Sequence, residues 1–370
     1  MKSSYLLTTA LAAVMLGASC DSDNSLRPVV DATEGHSVTF TLKTPAGERV
    51  VYSRDGIHES DEYAINSLTL YEYEVGEDGS QVLTRIMKKD GNGANSLNMT
   101  ENSSNSYTFS IIVPADNDGK NYTYRFVAND ATVNPALGSD YTVFAPTKAA
   151  LVLDKDGYTA DIFCVEGTGI AMSGVAKDTN GQEVITMAKN TKCEVQLTRI
   201  VSRIDIEYRT PNLKVKSVSL SGAPAEGTLF PAEELAVPTK SFSLRMNGGD
   251  ALLPDDFLSE LEDDTYSMKK AFYVYERANT ADDCLTIHIE YYVAANGRED
   301  YEGAVDVPFR KTGENGEYEY IDAVRNHLYT IVLGNGTDPV SGKVSAAIKV
   351  NDWTAAYVDE PLTEDDPVKE

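Results

Sequence analysis

Apolar and polar residues alternate along most of this chain, and a period of two predicts β-strands rather than helices. Val38-Thr39-Phe40-Thr41-Leu42 is the first such run, and Leu68-Thr69-Leu70-Tyr71-Glu72-Tyr73-Glu74-Val75 is the second. The turn cluster Gly76-Glu77-Asp78-Gly79 follows, and Val82-Leu83-Thr84-Arg85-Ile86 predicts the returning arm of a hairpin. Tyr107-Thr108-Phe109-Ser110-Ile111-Ile112-Val113 stops at Pro114. Asp116-Asn117-Asp118-Gly119 then reads as a second hairpin turn, leading into Tyr122-Thr123-Tyr124-Arg125-Phe126-Val127-Ala128.

A second series opens near Cys193 with one long alternating run, Val195 to Ile206. Further strands are expected at Val215 to Leu220, Lys270 to Tyr275, Leu285 to Val293, Asn326 to Leu333, Val344 to Val350 and Trp353 to Val358. Helical patterning is scarce, and Asp255 to Glu262 is the best short candidate. The expected fold class is therefore all-β with minor helix, as two tandem antiparallel β-sandwich-like domains. The boundary is placed near residue 190, after the loop Asp178-Thr179-Asn180-Gly181, giving domains at 55–190 and 191–370.

Composition supports a folded chain. Its 370 residues fit two domains of roughly 150 residues each, and 42% are hydrophobic. With 58 acidic against 32 basic residues, the formal net charge is -26, which excludes nucleic-acid binding through phosphates. Tyr (21) outnumbers Phe (10) and Trp (1), as suits strands with one wet face.

The N-terminus carries a separate signal. Lys2 precedes an apolar run from Leu6 to Leu16, and small residues lead to Cys20. A cation, a short apolar core and small residues make a secretory signal peptide, residues 1–19, too short to span a bilayer. A cysteine after the small residues resembles a bacterial lipobox and marks Cys20 for acylation. Lipoboxes carry a large aliphatic residue three before the cysteine; here Gly17 stands there and Leu16 one step earlier. The alternative is an ordinary secreted protein with a chance cysteine. Acyl chains contribute roughly 0.8 kcal/mol per buried methylene, enough to anchor a soluble body firmly. The acidic stretch Asp21-Ser22-Asp23-Asn24-Ser25 resembles export signals to the outer face of the outer membrane. It also reads as a plain solvated tether.

Candidate chemistry is sparse. Cys164, Cys193 and Cys284 remain if Cys20 is acylated: Cys164 and Cys193 could pair, or all three could be separate buried thiols. HExxH, P-loop and GxGxxG motifs are absent, and Ser173 lacks the flanking glycines of a nucleophile elbow. The turn at Asp116 to Gly119 lacks the later ligands of a calcium loop. His36, His58, His288 and His327 are dispersed, so no active site, metal or cofactor is expected.

Several short motifs occur in an order that resembles the fimbrillins, the fimbrial subunits of Bacteroidetes type V pili. They are the lipobox at Cys20, an arginine between the first two predicted strands, and Ile170-Ala171-Met172-Ser173-Gly174. Leu197-Thr198-Arg199-Ile200-Val201-Ser202-Arg203-Ile204 follows, then Phe272-Tyr273-Val274-Tyr275-Glu276. Val324-Arg325-Asn326-His327-Leu328-Tyr329 and the segment at Trp353 complete the series.

The resemblance implies export as a lipoprotein, then cleavage after an arginine by a surface arginine-specific protease. Residues 20–54 would be a tether and removable first strand. Arg54 is the matching arginine, in a polar, Gly-containing stretch open to proteolysis, and Arg49 is the runner-up. Both can equally be solvated loop cations. A neighbour's C-terminal segment then fills the vacated groove. Here the donor would be Trp353 to Leu362, with Trp353, Ala355, Tyr357 and Val358 its apolar residues, unless this is simply the last strand of the second domain. Strand addition to an open edge is β-augmentation, and unlike donor and acceptor surfaces give a head-to-tail filament. The expected function is a non-catalytic fimbrial subunit supporting adhesion, partnered by copies of itself or related subunits. It would be held at the outer membrane through lipid until processed. The alternative is a non-polymerised outer-membrane lipoprotein, either a fimbrial anchor or a glycan-binding surface protein.

Overall fold

The computed structural model describes residues 35–45, 62–129 (apart from 90, 92–94 and 104), 143–144, 164–165, 169–208 and 213–247 (apart from 226 and 240). It also describes 259–261, 265–293, 301–312, 315–337 and 344–352. Among the described residues the regular elements are strands, joined by turns and short 3-10 segments.

Seven principal strands build the N-terminal half. They are β1 (Gly35–Lys43), β2 (Leu68–Val75), β3 (Gln81–Lys89), β4 (Ser106–Pro114), β5 (Asn121–Ala128), β6 (Met172–Asp178) and β7 (Thr191–Gln196). Hydrogen bonds link them in the order β3-β2-β5-β6-β7-β1-β4. β6 turns the corner between two layers: Met172 to Val175 pair with β5, and Ala176 to Asp178 pair with β7. Gly174 sits at this bend because a Cβ there would lie 2.5 Å from the Gln196 carbonyl oxygen.

The expected hairpin of β2 and β3 forms. Gly79 adopts φ 80°, and Gly76 N–H donates to the Ser80 carbonyl at 2.8 Å. The second expected hairpin does not. Ala115–Asn117 is a 3-10 turn, but β4 pairs with β1 whereas β5 pairs with β2. The connection crosses from one layer to the other, and Phe109 meets Phe126 across the core with ring centroids 5.9 Å apart. Two apolar strands with period two look alike whether they pair edge to edge or pack face to face.

Eight further principal strands are described in the C-terminal half: β8 (Val201–Tyr208), β9 (Leu213–Pro224), β10 (Ser241–Asn247), β11 (Thr265–Tyr275), β12 (Thr286–Val293), β13 (Tyr301–Pro308), β14 (His327–Thr337) and β15 (Val344–Asp352). β11-β8-β14-β15 form one sheet, with Ser259–Leu261 beside β11, and β10-β9-β12-β13 form the other. Ile204, Phe272 and Ile331 of the first sheet pack against Leu220, Ile287 and Ile289 of the second. The segment Asp255 to Glu262 is not helical where it is described, since Ser259–Leu261 pairs with β11 as a strand.

The long run expected from Val195 to Ile206 is three strands. Thr191–Gln196 pairs with β1 and with β6, Thr198–Arg199 pairs with β6, and β8 belongs to the C-terminal sheet. The chain thus passes from one half to the other at Leu197 to Val201. Leu197 N–H still donates to the Lys43 carbonyl of β1 at 2.9 Å, and Ile200 N–H donates to the Ala171 carbonyl at 3.1 Å.

Candidate functional site

β1 lies inside its sheet, not at an edge. It runs antiparallel to β4 from Gly35↔Pro114 to Lys43↔Ser106, and parallel to β7 from Val38↔Thr191 to Lys43↔Gln196. Alternation sends Val38, Phe40 and Leu42 into the core, each 0% exposed. Phe40 is boxed by three rings: Phe109 at 5.3 Å, stacked at 26°, Tyr124 at 5.1 Å, and Phe126 at 5.3 Å, the latter two edge-on. Ile111 of β4 and Cys193 and Val195 of β7 continue the apolar walls on either side.

Burial of three such side chains stabilises β1 by about 5–9 kcal/mol. The other face of the strand is polar. Thr39 and Ser110 hydroxyls share a hydrogen bond at 2.9 Å, and Lys43 pairs with Glu194 at 3.8 Å. The outer faces of β1, β6 and β7 border a groove of about 730 Å³, closed on one side by Phe230 and Pro231. Any strand occupying the place of β1 therefore meets an apolar core on one face and polar groups on the other. Without β1, β7 keeps β6 as neighbour and β4 keeps Thr100–Ser103.

Among the described residues, the last strand, β15, has β14 as its only paired neighbour. Val350 on it is 44% exposed. Cys20, Arg49, Arg54, Trp353, Ala355, Tyr357 and Val358 lie outside the described residues.

A second constellation lies where the two halves meet. Arg203, 1% exposed, donates Nε and Nη2 to the two Asp205 carboxylate oxygens at 2.8 and 2.6 Å, and Nη1 to Glu62 Oε2 at 3.1 Å. The Tyr273 hydroxyl donates to Glu62 Oε1 at 2.5 Å. Arg199, also buried, donates Nε to the Glu62 carbonyl at 2.6 Å and Nη1 to Asn326 Oδ1 at 3.1 Å. Burial works against the Arg203 charge, but Asp205 and Glu62 outweigh it and hold the guanidinium protonated well above its usual range.

Arg325 makes a parallel set of contacts. It donates to both Glu276 oxygens at 2.7 and 2.5 Å and to the Leu229 carbonyl at 2.7 Å. Asn129 donates to the Ile170 carbonyl at 2.8 Å, and the Ser173 hydroxyl donates to the Leu229 carbonyl. The motifs at 170–174, 197–204, 272–276 and 324–329 thus converge on one buried junction. Their polar residues are there to satisfy one another.

Other candidates resolve into structural roles. Cys193 is an unpaired thiol in the core, so the Cys164–Cys193 disulfide does not form; Cys284 is unpaired and half-buried. Burial, with Asp178 contributing, pushes the Cys193 thiol up to about 12, which makes it inert. His36 faces Asp118 at 3.7 Å, His288 faces Asp306 at 2.6 Å, and His327 contacts the Arg325 carbonyl at 2.9 Å. Among the described residues, no group of three or more His, Cys, Asp or Glu could hold a metal. No helix among them is long and apolar enough to cross a membrane.

No protein-family model matches the chain, and no curated protein matches it. Solved structures do. The tip fimbrial protein Mfa3 of Porphyromonas gingivalis, with a C-terminal truncation, is 14% identical over 86% of this chain and all of that one (TM-score 0.48). A candidate cell adhesion protein of Parabacteroides distasonis is 16% identical over 86% of this chain and 98% of that one (TM-score 0.44). The fimbrial anchor protein Mfa2 of Porphyromonas gingivalis is 11% identical over the same shares (TM-score 0.35). These structural neighbours are fimbrial and cell-adhesion proteins of Bacteroidetes.

Proposed function

We propose that this chain is a structural subunit of a cell-surface fimbria of the type V kind, polymerised by donor-strand exchange and supporting adhesion. In this reading it is exported as a lipoprotein acylated at Cys20 and held at the outer membrane. A surface arginine-specific protease then cuts after Arg54, with Arg49 the second choice. The fragment released carries the lipid together with β1. The C-terminal segment of a neighbouring subunit, carrying residues such as Trp353, Ala355, Tyr357 and Val358, enters the vacated groove. No catalytic step by the chain itself is required.

One observation carries the reading most of the way. β1 is an interior strand, yet its covalent link to the described strands that follow it runs through the stretch 46–61, which holds both arginines. One cut there severs its covalent link. Its loss exposes two unpaired backbone edges and an aromatic-lined trough between them, the template that strand addition needs. Edge and trough differ from the donor segment in chemistry, so contacts run head to tail and do not close.

The test is to treat the full-length precursor with an arginine-specific protease and run it unheated in SDS. A ladder of high-mass species is expected from the native chain, and monomer only from a chain with Arg49→Ala and Arg54→Ala. A ladder that forms without cleavage contradicts the reading.

A further inference from the structure

The walls of the trough are more selective than strand addition alone requires. Resting on the proposed removal of β1, we propose that this groove prefers the donor segment of a different subunit, one reading aliphatic–aromatic–aliphatic at alternate positions, over residues 344–370 of a copy of this chain. The occupant in place reads Val38-Phe40-Leu42, with all three side chains 0% exposed. Phe40 fills a box of three rings at 5.1–5.3 Å, so a donor without a ring there leaves a cavity. Leu42 is aligned with Val195 on one side and Tyr107 on the other, so a charge there finds an apolar wall.

The chain's own C-terminal residues do not meet this demand in either strand direction. From Val344 to Glu370, only two alternate triplets centre on a ring: Asn351-Trp353-Ala355 and Ala355-Tyr357-Asp359. Each places an amide or a carboxylate in a site that is fully buried around β1, where a polar group without a partner is strongly disfavoured. Triplets such as Ala346-Ile348-Val350 carry no ring and leave the box unfilled. Reversing the strand exchanges the outer two positions and removes neither defect. The partner that fits best is a related subunit with a ring flanked by aliphatic residues, so a cleaved chain takes that donor ahead of a copy of itself and forms its own ladder where the better donor is absent.

The experiment uses the full chain nicked between Lys43 and Glu62 by an arginine-specific protease, with the N-terminal fragment removed in sub-denaturing urea. A fluorescein-labelled peptide of residues 35–44 is bound by the nicked chain and displaced by unlabelled competitors, followed by anisotropy. A peptide of residues 350–360 is expected to compete at least about 100-fold more weakly than the unlabelled 35–44 peptide, and Asp359→Leu in it to recover tenfold or more. Phe40→Ala in the 35–44 peptide is expected to weaken competition by about 10²–10³-fold. Equal competition by the native 350–360 peptide, or by the Phe40→Ala peptide, overturns the selectivity while leaving strand exchange standing. Failure of the labelled peptide to enter the nicked chain overturns both.

Discussion

Cys193 reports whether β1 occupies its groove. Its position in the parallel ladder is opposite Phe40, and its side chain shares the core with Phe40 at 3% exposure. Burial holds the thiol at about 12. At pH 8 such a group is ionised in about one part in 10⁴, whereas an ordinary exposed thiol near 8.5 is about one-quarter ionised. Since the thiolate is the nucleophile, releasing β1 raises reactivity about 10³-fold before any gain in access is counted. The assay replaces Cys20, Cys164 and Cys284 by Ser and follows maleimide labelling of Cys193 by intact mass. Three samples are compared: the intact chain, the chain nicked after Arg54, and the nicked chain after removal of the N-terminal fragment. Slow labelling is expected in the first two and fast labelling in the third. Equally fast labelling of the intact chain, or none after removal, refutes the placement of Cys193 against β1.

Other expectations follow from the same packing. Phe40→Ala leaves the three-ring box empty and destabilises the full chain to urea by about 3–5 kcal/mol; a loss under about 1 kcal/mol contradicts the box. Glu62→Ala leaves the Arg203 guanidinium with Asp205 as its remaining carboxylate in the described contacts and costs about 3–5 kcal/mol in the same assay. A neutral outcome would show that the junction tolerates the lost partner. Asp178 closes β6 at the turn that follows it, where the backbone N–H of Gln182, helped by Asn180, holds its carboxyl below the ordinary 3.8. A folded value below the unfolded one means the stabilisation is present above 3.8 and is lost as pH falls through the lower folded value. NMR titration should find that lower midpoint, and a midpoint at or above 3.8 contradicts the turn geometry.

Strand content was legible from the sequence because burial on one face imposes period two. Val38 to Leu42 lies within β1, Tyr107 to Val113 within β4, and Leu68 to Val75 coincides with β2. Partner choice was not legible, because alternation reports that a side chain is buried and not against what. Leu197 and Val201 keep the same phase, yet one belongs to the N-terminal core and the other to the junction. That is why a run from Val195 to Ile206 looked continuous. The same limit turned an arch between layers into an expected hairpin at Asp116 to Gly119.

The junction offered one sequence signal. Arg199 and Arg203 fall in the apolar phase of an alternating run, where a cation needs buried partners. Asn326 and Glu62, which supply them, lie 127 and 141 residues away, beyond any local pattern. Asp205, two residues from Arg203 on the same face, was the partner within reach of inspection. The interior position of β1 was likewise set by long-range pairing, though its Val-Phe-Leu face showed that it carries core residues.

The central claim is that β1 is removed and replaced on assembly. It is tested most directly by reading the N-terminus of this chain in surface material from the native organism by mass spectrometry. The account predicts a terminus at Asp55 in an SDS-resistant, high-mass species, with residues 20–54 missing from it. A lipidated Cys20 terminus on a monomer would contradict strand exchange and leave an anchored, non-polymerised lipoprotein.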